Sequence, residues 1–134
     1  KLHGPWMLYA DDKQPEPERI KLPGKPTLDG NPVCAPCTLR RRFGTPTGLT
    51  DSDHVLLVFQ GVTPSAIASL ESQTLGEIAS ESTIGFDITP FLTGNNYLQI
   101  AFKETTEPVG VCEVRIDIAD DSEIRTTGYP VINP

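Results

Sequence analysis

The residues that could do chemistry in this chain are three cysteines, two histidines and a surplus of acids. Cys34-Ala35-Pro36-Cys37 has the spacing of a Cys-x-Pro-Cys dithiol. Redox work by such a pair needs a strand before it and a helix N-terminus after it, because the helix end stabilises the thiolate. Gly30-Asn31-Pro32 comes before it and an extended segment follows. The pair therefore reads as two loop thiols or as part of a local or long-range disulfide, and an odd count allows at most one intrachain bridge. Cys112 falls on the apolar side of its strand pattern and reads as a small core residue. Of the histidines, His3 is near a terminus and His54 begins a strand. A Ser-His-Asp arrangement can be written on paper, but the sequence has no Gly-x-Ser-x-Gly elbow to activate a serine.

The elements that must position these groups follow from pattern. The chain has 134 residues, enough for one domain (1–134) with a single core, which the patterning places at about 4–118 with a tail at 119–134. Its 13 prolines are about double average usage, which disfavours helices and favours an all-β fold with long connections. A net charge of −7 makes nucleic acid and anionic membranes poor partners. No apolar run approaches the ~18 residues of a membrane span. A start at Lys1 reads as a trimmed or processed chain, and the expected location leans towards secreted or periplasmic.

Gly4–Ala10 reads as a first short strand, the stretch Asp11–Glu18 as a solvated acidic loop, and Arg19–Leu22 as a brief extended segment. In Thr38–Phe43, Leu39, Arg41 and Phe43 share one face while Thr38, Arg40 and Arg42 share the other. Arg41 thus points inward and needs a carboxylate or carbonyl partner, either as a buried structural pair or at a ligand-facing edge. Val55–Phe59 is an uninterrupted apolar run. Ile84, Phe86 and Ile88 alternate with polar or small residues, as do Leu98, Ile100 and Phe102, and Cys112, Val114, Ile116 and Ile118. Three such half-buried strands imply antiparallel sheet. The tail predicts one more edge strand around Ile124–Thr127. Between these segments, Ser65–Ile78 is ambiguous. Thr63 and Pro64 could start a helix with Ile67, Leu70 and Thr74 on one face, but Ser65, Ser69, Ser72 and Gly76 are poor helix residues.

Several segments, in order, resemble the sugar-binding-like β-sandwich domain at the N-terminus of glycoside hydrolase family 2 enzymes. These are Gly4-Pro5-Trp6-Met7-Leu8, Ile20-Lys21-Leu22-Pro23-Gly24, Leu39-Arg40-Arg41-Arg42-Phe43, and Val55–Val62 with its aromatic-x-Gly-Val ending. The closest match is Gly85–Lys103, which carries Phe86-Asp87-Ile88-Thr89, an apolar pair, a Gly-Asn turn and an apolar strand. The resemblance covers about Gly4–Ile118. It implies an antiparallel β-sandwich of jelly-roll type, galactose-binding domain-like, with Ser65–Leu70 and Thr74–Ile78 as the strands of a hairpin. The family's Asn-Gly turn is Glu71-Ser72 in this chain, which predicts a longer or differently shaped loop, since neither residue readily takes φ > 0.

The function implied is a non-catalytic carbohydrate-binding-like module, free or part of a larger glycan-active protein. The alternative is the same fold serving as a protein-interaction or packing module. An enzyme in its own right has least support: a glycosidase needs two carboxylates at a set separation, and in that family they sit on a separate barrel domain. A sugar site would lie at a sandwich edge or loop face. Trp6 or Tyr97 would be the stacking surface, with Arg40, Glu71 and Gln73 as hydrogen-bonding groups; Trp6 competes for a role as core anchor of the first strand. No cofactor is implied. Structural calcium is common in galactose-binding-like sandwiches, and Asp51-Ser52-Asp53 or Asp120-Asp121 could offer it oxygens, though neither has EF-hand spacing.

Overall fold

The apolar run His54–Gln60 forms β6, and Val55 to Phe59 are all fully buried. Successive strand residues point to opposite sides, so a strand buried at every position must be covered on both faces. That requirement organises the fold. In the computed structural model, which describes residues 2, 6–9, 18–20, 22, 24–28, 30–102 and 107–134, β6 is a central strand of a four-stranded sheet facing a six-stranded one.

The six-stranded sheet is built from β1 (Trp6–Tyr9), β2 (Glu18–Ile20), β5 (Cys37–Gly44), β7 (Ala66–Leu70), β8 (Gln73–Ile78) and β10 (Asn95–Phe102), in the order β2-β1-β5-β10-β7-β8. The second sheet has the order β11-β6-β9-β12, with β9 at Thr83–Asp87, β11 at Glu113–Ala119 and β12 at Val131–Ile132. A small ladder joins β3 (Thr27–Leu28) to β4 (Asn31–Pro32). All pairings between named strands are antiparallel except β9 with β12. Helical structure among the described residues is confined to two 3-10 turns, Thr89–Phe91 and Glu123–Thr126, and no helix is long and apolar enough to cross a membrane. His3, Pro23, Asp29, Lys103 and the acidic stretch at 11–17 lie outside the described residues.

The core lies between the two sheets. Leu39, Phe43, Val55, Leu57, Phe59, Phe86, Ile88, Leu98, Ile100, Phe102 and Val114 are buried in one cluster, with Ile116 packed at its margin. Phe59 and Phe86 meet edge to face, 5.9 Å between centroids. Trp6 and Leu8 bring β1 into the same cluster. The other face of β6 is covered differently: Leu56, Val58 and Ala119 form a second cluster closed by Ile124, Tyr129 and Val131.

Four expectations need correction. The tail adds its strand at Val131–Ile132, parallel to β9, while Ile124–Thr127 lies in and just after a 3-10 turn; Pro130 follows Tyr129 and its carbonyl accepts from Gly85 N–H at 2.9 Å. The outer face of β9 is consequently not solvated. Gly85 is buried under the Tyr129 ring, and a Cβ there would lie 2.7 Å from it. Cys112 is exposed rather than in the core, because it precedes β11 at the chain's turn from Val111, against Gly61. Finally, the β7–β8 loop is not longer: it is two residues, since Leu70 pairs with Gln73. It does have a different shape, because, of its two residues, only Glu71 takes a positive φ, 54°, where a type I′ turn needs two. Its backbone N–H donates to the Tyr97 carbonyl at 2.9 Å and its carboxylate accepts from the Tyr97 N–H at 3.1 Å, which offsets the strain. A bulge on β8 falls between Thr74 and Gly76, where the pairing shifts opposite Ala68 and Ser69.

Removing the Phe86 ring should leave a cavity against Phe59. Phe86→Ala is expected to destabilise the chain by about 3–5 kcal/mol in urea unfolding. A variant with an unchanged midpoint would place Phe86 outside the core.

Candidate functional site

The β5–β10 ladder is eight residues long and sets which side chains reach the outer face of the six-stranded sheet. Leu39, Phe43, Leu98, Ile100 and Phe102 turn inward, so Thr38, Arg40, Arg42, Tyr97 and Gln99 turn outward. Arg41 lies on the inner-facing register opposite Leu98, where burial lowers its pKa; it is half-buried and donates to the Arg42 carbonyl at 2.7 Å. On the outer face, the Arg42 guanidinium stacks 4.6 Å above the Tyr97 ring and donates to the Tyr97 hydroxyl at 2.7 Å. The Arg40 guanidinium stacks 4.3 Å above Tyr9, and its Nε donates to the Gln99 side-chain carbonyl at 2.9 Å.

Of the five candidate sugar contacts, four belong to this face or its rim. Tyr97 is 40% exposed, Arg40 is half-buried beside Gln99, and Glu71 and Gln73 stand at the β7–β8 tip, with Glu71 held to the Tyr97 backbone. Gln73 is exposed and donates to the Thr74 carbonyl at 3.2 Å. Trp6 does not join them: it is fully buried and its indole N–H donates to the Leu2 carbonyl at 3.1 Å. Its large ring fills the core between the sheets, which leaves Tyr97 as an exposed aromatic ring on this face. Tyr9, Arg42 and Gln99 were missed; their period-two positions on the same faces as Arg40 and Tyr97 were the available signal.

The His54 constellation is a different structure. Its Nδ1 meets Asp87 at 2.7 Å and its Nε2 meets Asp121 at 2.6 Å. Both partners are carboxylates, which favour the protonated ring donating from both nitrogens, and the hydrogen bonds to Asp121 and Asp87 raise its pKa above 6.5. Neither nitrogen is left to take a proton from a hydroxyl nucleophile. Asp87 is itself buried and also accepts from the Thr89 N–H and hydroxyl at 3.1 and 2.6 Å, which is the work done by the Asp87-Ile88-Thr89 segment. The His54 clasp therefore ties the tail to the end of β6.

The remaining sequence candidates are occupied locally. Asp53 accepts from the Thr50 N–H at 2.8 Å, and Asp120 accepts from the Ser122 and Glu123 backbone. Among the described residues no group of three metal-ligating side chains is placed to hold an ion. Cys34 is exposed and Cys37 is buried at the start of β5, where burial, with Cys34 adding to it, pushes the Cys37 thiol up to about 11. That is opposite to what a reactive thiolate requires. A recess of about 480 Å3 beside β11 is lined by Arg115, Asp117, Ile118, Glu123 and Tyr129. Its charges are already matched, with Arg115 donating to Glu113 at 2.8 Å and to Asp117 at 3.1 Å, and Tyr129 donating to Asp117 at 2.7 Å. Burial and the Asp117 contact push the Tyr129 phenol up to about 12.

No protein-family model and no curated protein matches the chain. Solved structures do. A Bifidobacterium dentium β-glucuronidase, complexed with coumarin-3-O-glucuronide, superposes with a TM-score of 0.64 at 26% identity, over 76% of this chain and 19% of that one. An FMN-binding β-glucuronidase from Faecalibacterium prausnitzii L2-6 gives 0.66 at 16% identity, over 87% and 21%. A β-glucuronidase from an uncultured Clostridium gives 0.65 at 21% identity, over 79% and 22%. The fold is that of the N-terminal sandwich domain of glycoside hydrolase family 2 enzymes. The chain spans about a fifth of those enzymes' length. On this sandwich the outer six-stranded face is the surface where aromatic rings and polar forks converge.

Two outcomes test these assignments. A raised pKa means that the His54 clasp contributes stability fully below about 6.5 and loses it as pH rises through the folded value. Melting temperature should therefore fall over that interval in the parent chain and stay flatter in His54→Gln; parallel profiles would remove His54 from the clasp. Trp6 emission should be blue-shifted and protected from acrylamide, and ready quenching would put the indole back at the surface.

Proposed function

We propose that this chain is a non-catalytic, carbohydrate-related module of a larger glycosidase, and that it contacts sugar through the outer face of its six-stranded sheet. The observation that carries the reading is the likeness to about a fifth of each β-glucuronidase, a stretch with the size of one accessory sandwich. The catalytic carboxylate pair that glycoside hydrolysis needs would belong to another part of that protein. The sugar contact itself rests on Tyr97, which is exposed beside Arg42, Gln99 and Glu71. A sugar ring offers an apolar C–H face to an aromatic edge and hydroxyls to polar forks, and these groups supply both.

A second reading has its own support. The Arg42 guanidinium covers one face of the Tyr97 ring, and the Glu71 carboxylate is engaged by the Tyr97 N–H. Tyr and Arg are also the residues enriched at protein interfaces, so the same face suits packing against a neighbouring domain. Nucleic acid and membrane are not proposed as partners, given the net charge of −7.

Titration with mono- and oligosaccharides, followed by backbone amide shifts, distinguishes the two. Sugar contact predicts saturable shifts at Arg40, Arg42, Glu71, Gln73, Tyr97 and Gln99 at millimolar glycan, with Trp6 fluorescence unchanged. Silence at those amides would favour the packing module.

A further inference from the structure

The chain carries 18 acidic residues against 11 Lys and Arg. Arg115 is in ion-pair contact with Glu113 and Asp117. Arg19, Arg40, Arg42 and Arg125 are not: among the described residues none of the four has a carboxylate in ion-pair contact. Arg125 stands apart in the tail, whereas the pairing register puts the other three on one surface. Arg19 lies opposite Met7, and Met7 opposite Arg40, across β2, β1 and β5. At the ~4.8 Å spacing of neighbouring strands, the Arg19 and Arg40 backbones are ~10 Å apart, and Arg42 follows Arg40 by ~7 Å along β5.

Two of these cations are also held in place. Arg40 is fixed between the Tyr9 ring and Gln99, and Arg42 between the ring and hydroxyl of Tyr97. Each has one of its five N–H donors engaged by these partners, leaving N–H groups for a second ligand. Ordering such a side chain before binding removes part of the entropy that a free arginine would lose. The row continues from Arg40 to Gln99, Ser69 and Thr74, which are uncharged hydrogen-bonding groups on the same face.

We infer that this face takes an anionic glycan, a sugar chain bearing carboxylate or sulfate groups. The arginines meet the acid groups as bidentate forks, while Gln99, Ser69 and Thr74 meet hydroxyls. The ligand class deepens the sugar-contact reading above and rests on it. An acidic protein surface would satisfy the arginines alone, and the neutral row is what selects a hydroxyl-rich ligand instead.

The test is calorimetric titration of the intact chain with four probes: an oligogalacturonate, a heparin-derived oligosaccharide, a neutral cello-oligosaccharide and a poly-glutamate peptide. One or both charged sugars should bind, more weakly as salt is raised, and at least ~10-fold tighter than the neutral sugar. Binding of oligogalacturonate alone identifies carboxylate as the recognised group, and binding of the heparin fragment alone identifies sulfate. Arg40→Gln with Arg42→Gln should lower that affinity by ~10-fold or more while the chain stays folded, its melting temperature falling by no more than a few degrees for the two lost Arg–Tyr contacts. Arg40→Lys with Arg42→Lys should fall between, because charge remains and the fork is lost. Arg125→Gln, exposed in the tail over the other sheet, should bind like the parent. Equal binding of neutral and charged sugars, unaffected by the arginine changes, would overturn the anionic class and leave the sugar reading standing. No binding of any sugar would overturn both. Tighter binding of poly-glutamate than of either charged sugar, lost with the arginines, would make the face a dock for acidic protein.

Discussion

The fold depends on the two-sided burial of β6. Five consecutive apolar side chains cannot be satisfied by a single sheet-to-sheet contact, because alternate residues point away from it. Val55, Leu57 and Phe59 face the six-stranded sheet, and their burial with Phe86, Leu98 and Ile100 makes the sandwich. Leu56 and Val58 face the other way and need a separate cover. The tail supplies it. That is why Tyr129 lies over Gly85, why β12 pairs with β9, and why the His54–Asp121 contact closes the end of the same strand.

The same alternation, applied to β5 and β10, separates structure from chemistry. Apart from Arg41, every second residue of these strands is buried, and what lies between is free to be polar without cost to packing. Arg40, Arg42, Tyr97 and Gln99 occupy those positions, in cross-strand contact. Their Arg–Tyr stacks are worth ~0.5–1 kcal/mol each at exposed sites, and they fix where both guanidiniums lie. By contrast, the buried Asn96 is structural. Its amide donates to the Phe43 and Thr93 carbonyls and its oxygen accepts from the Thr93 N–H, so the turn into β10 is fixed against the end of β5. A rigid frame at that end holds the Tyr97–Arg42 pair one residue further on.

The His54 cluster shows how a catalytic-looking constellation can be structural. A histidine beside an aspartate is a familiar arrangement for proton transfer, but that chemistry needs one ring nitrogen open to substrate or nucleophile. With carboxylates on both nitrogens, the imidazolium instead neutralises a buried aspartate and an exposed one, and joins two parts of the chain 33 and 67 residues distant from it.

The amino-acid sequence by itself determined the β-class, most of the strands and nearly all of the core. Those properties follow from local alternation and from the excess of proline, and each can be read within a window of a few residues. Periodicity left Ser65–Ile78 undecided between helix and hairpin, and only the pattern of several segments in order settled it; the structure makes it β7 and β8. Tertiary structure alone decided the rest. Whether Trp6 stacks on a ligand or fills the core depends on how β1 sits against the opposite sheet, because an aromatic residue suits either place. The cover over β6 and the exposure of Cys112 depend on where the tail and the turn at Gly61 pass, which no short-range pattern encodes. Arg19, Arg40 and Arg42 are 23 residues apart at most in sequence, but that they share a face, with no carboxylate among the described residues paired to them, is a property of strand register, and register is set by the whole sheet.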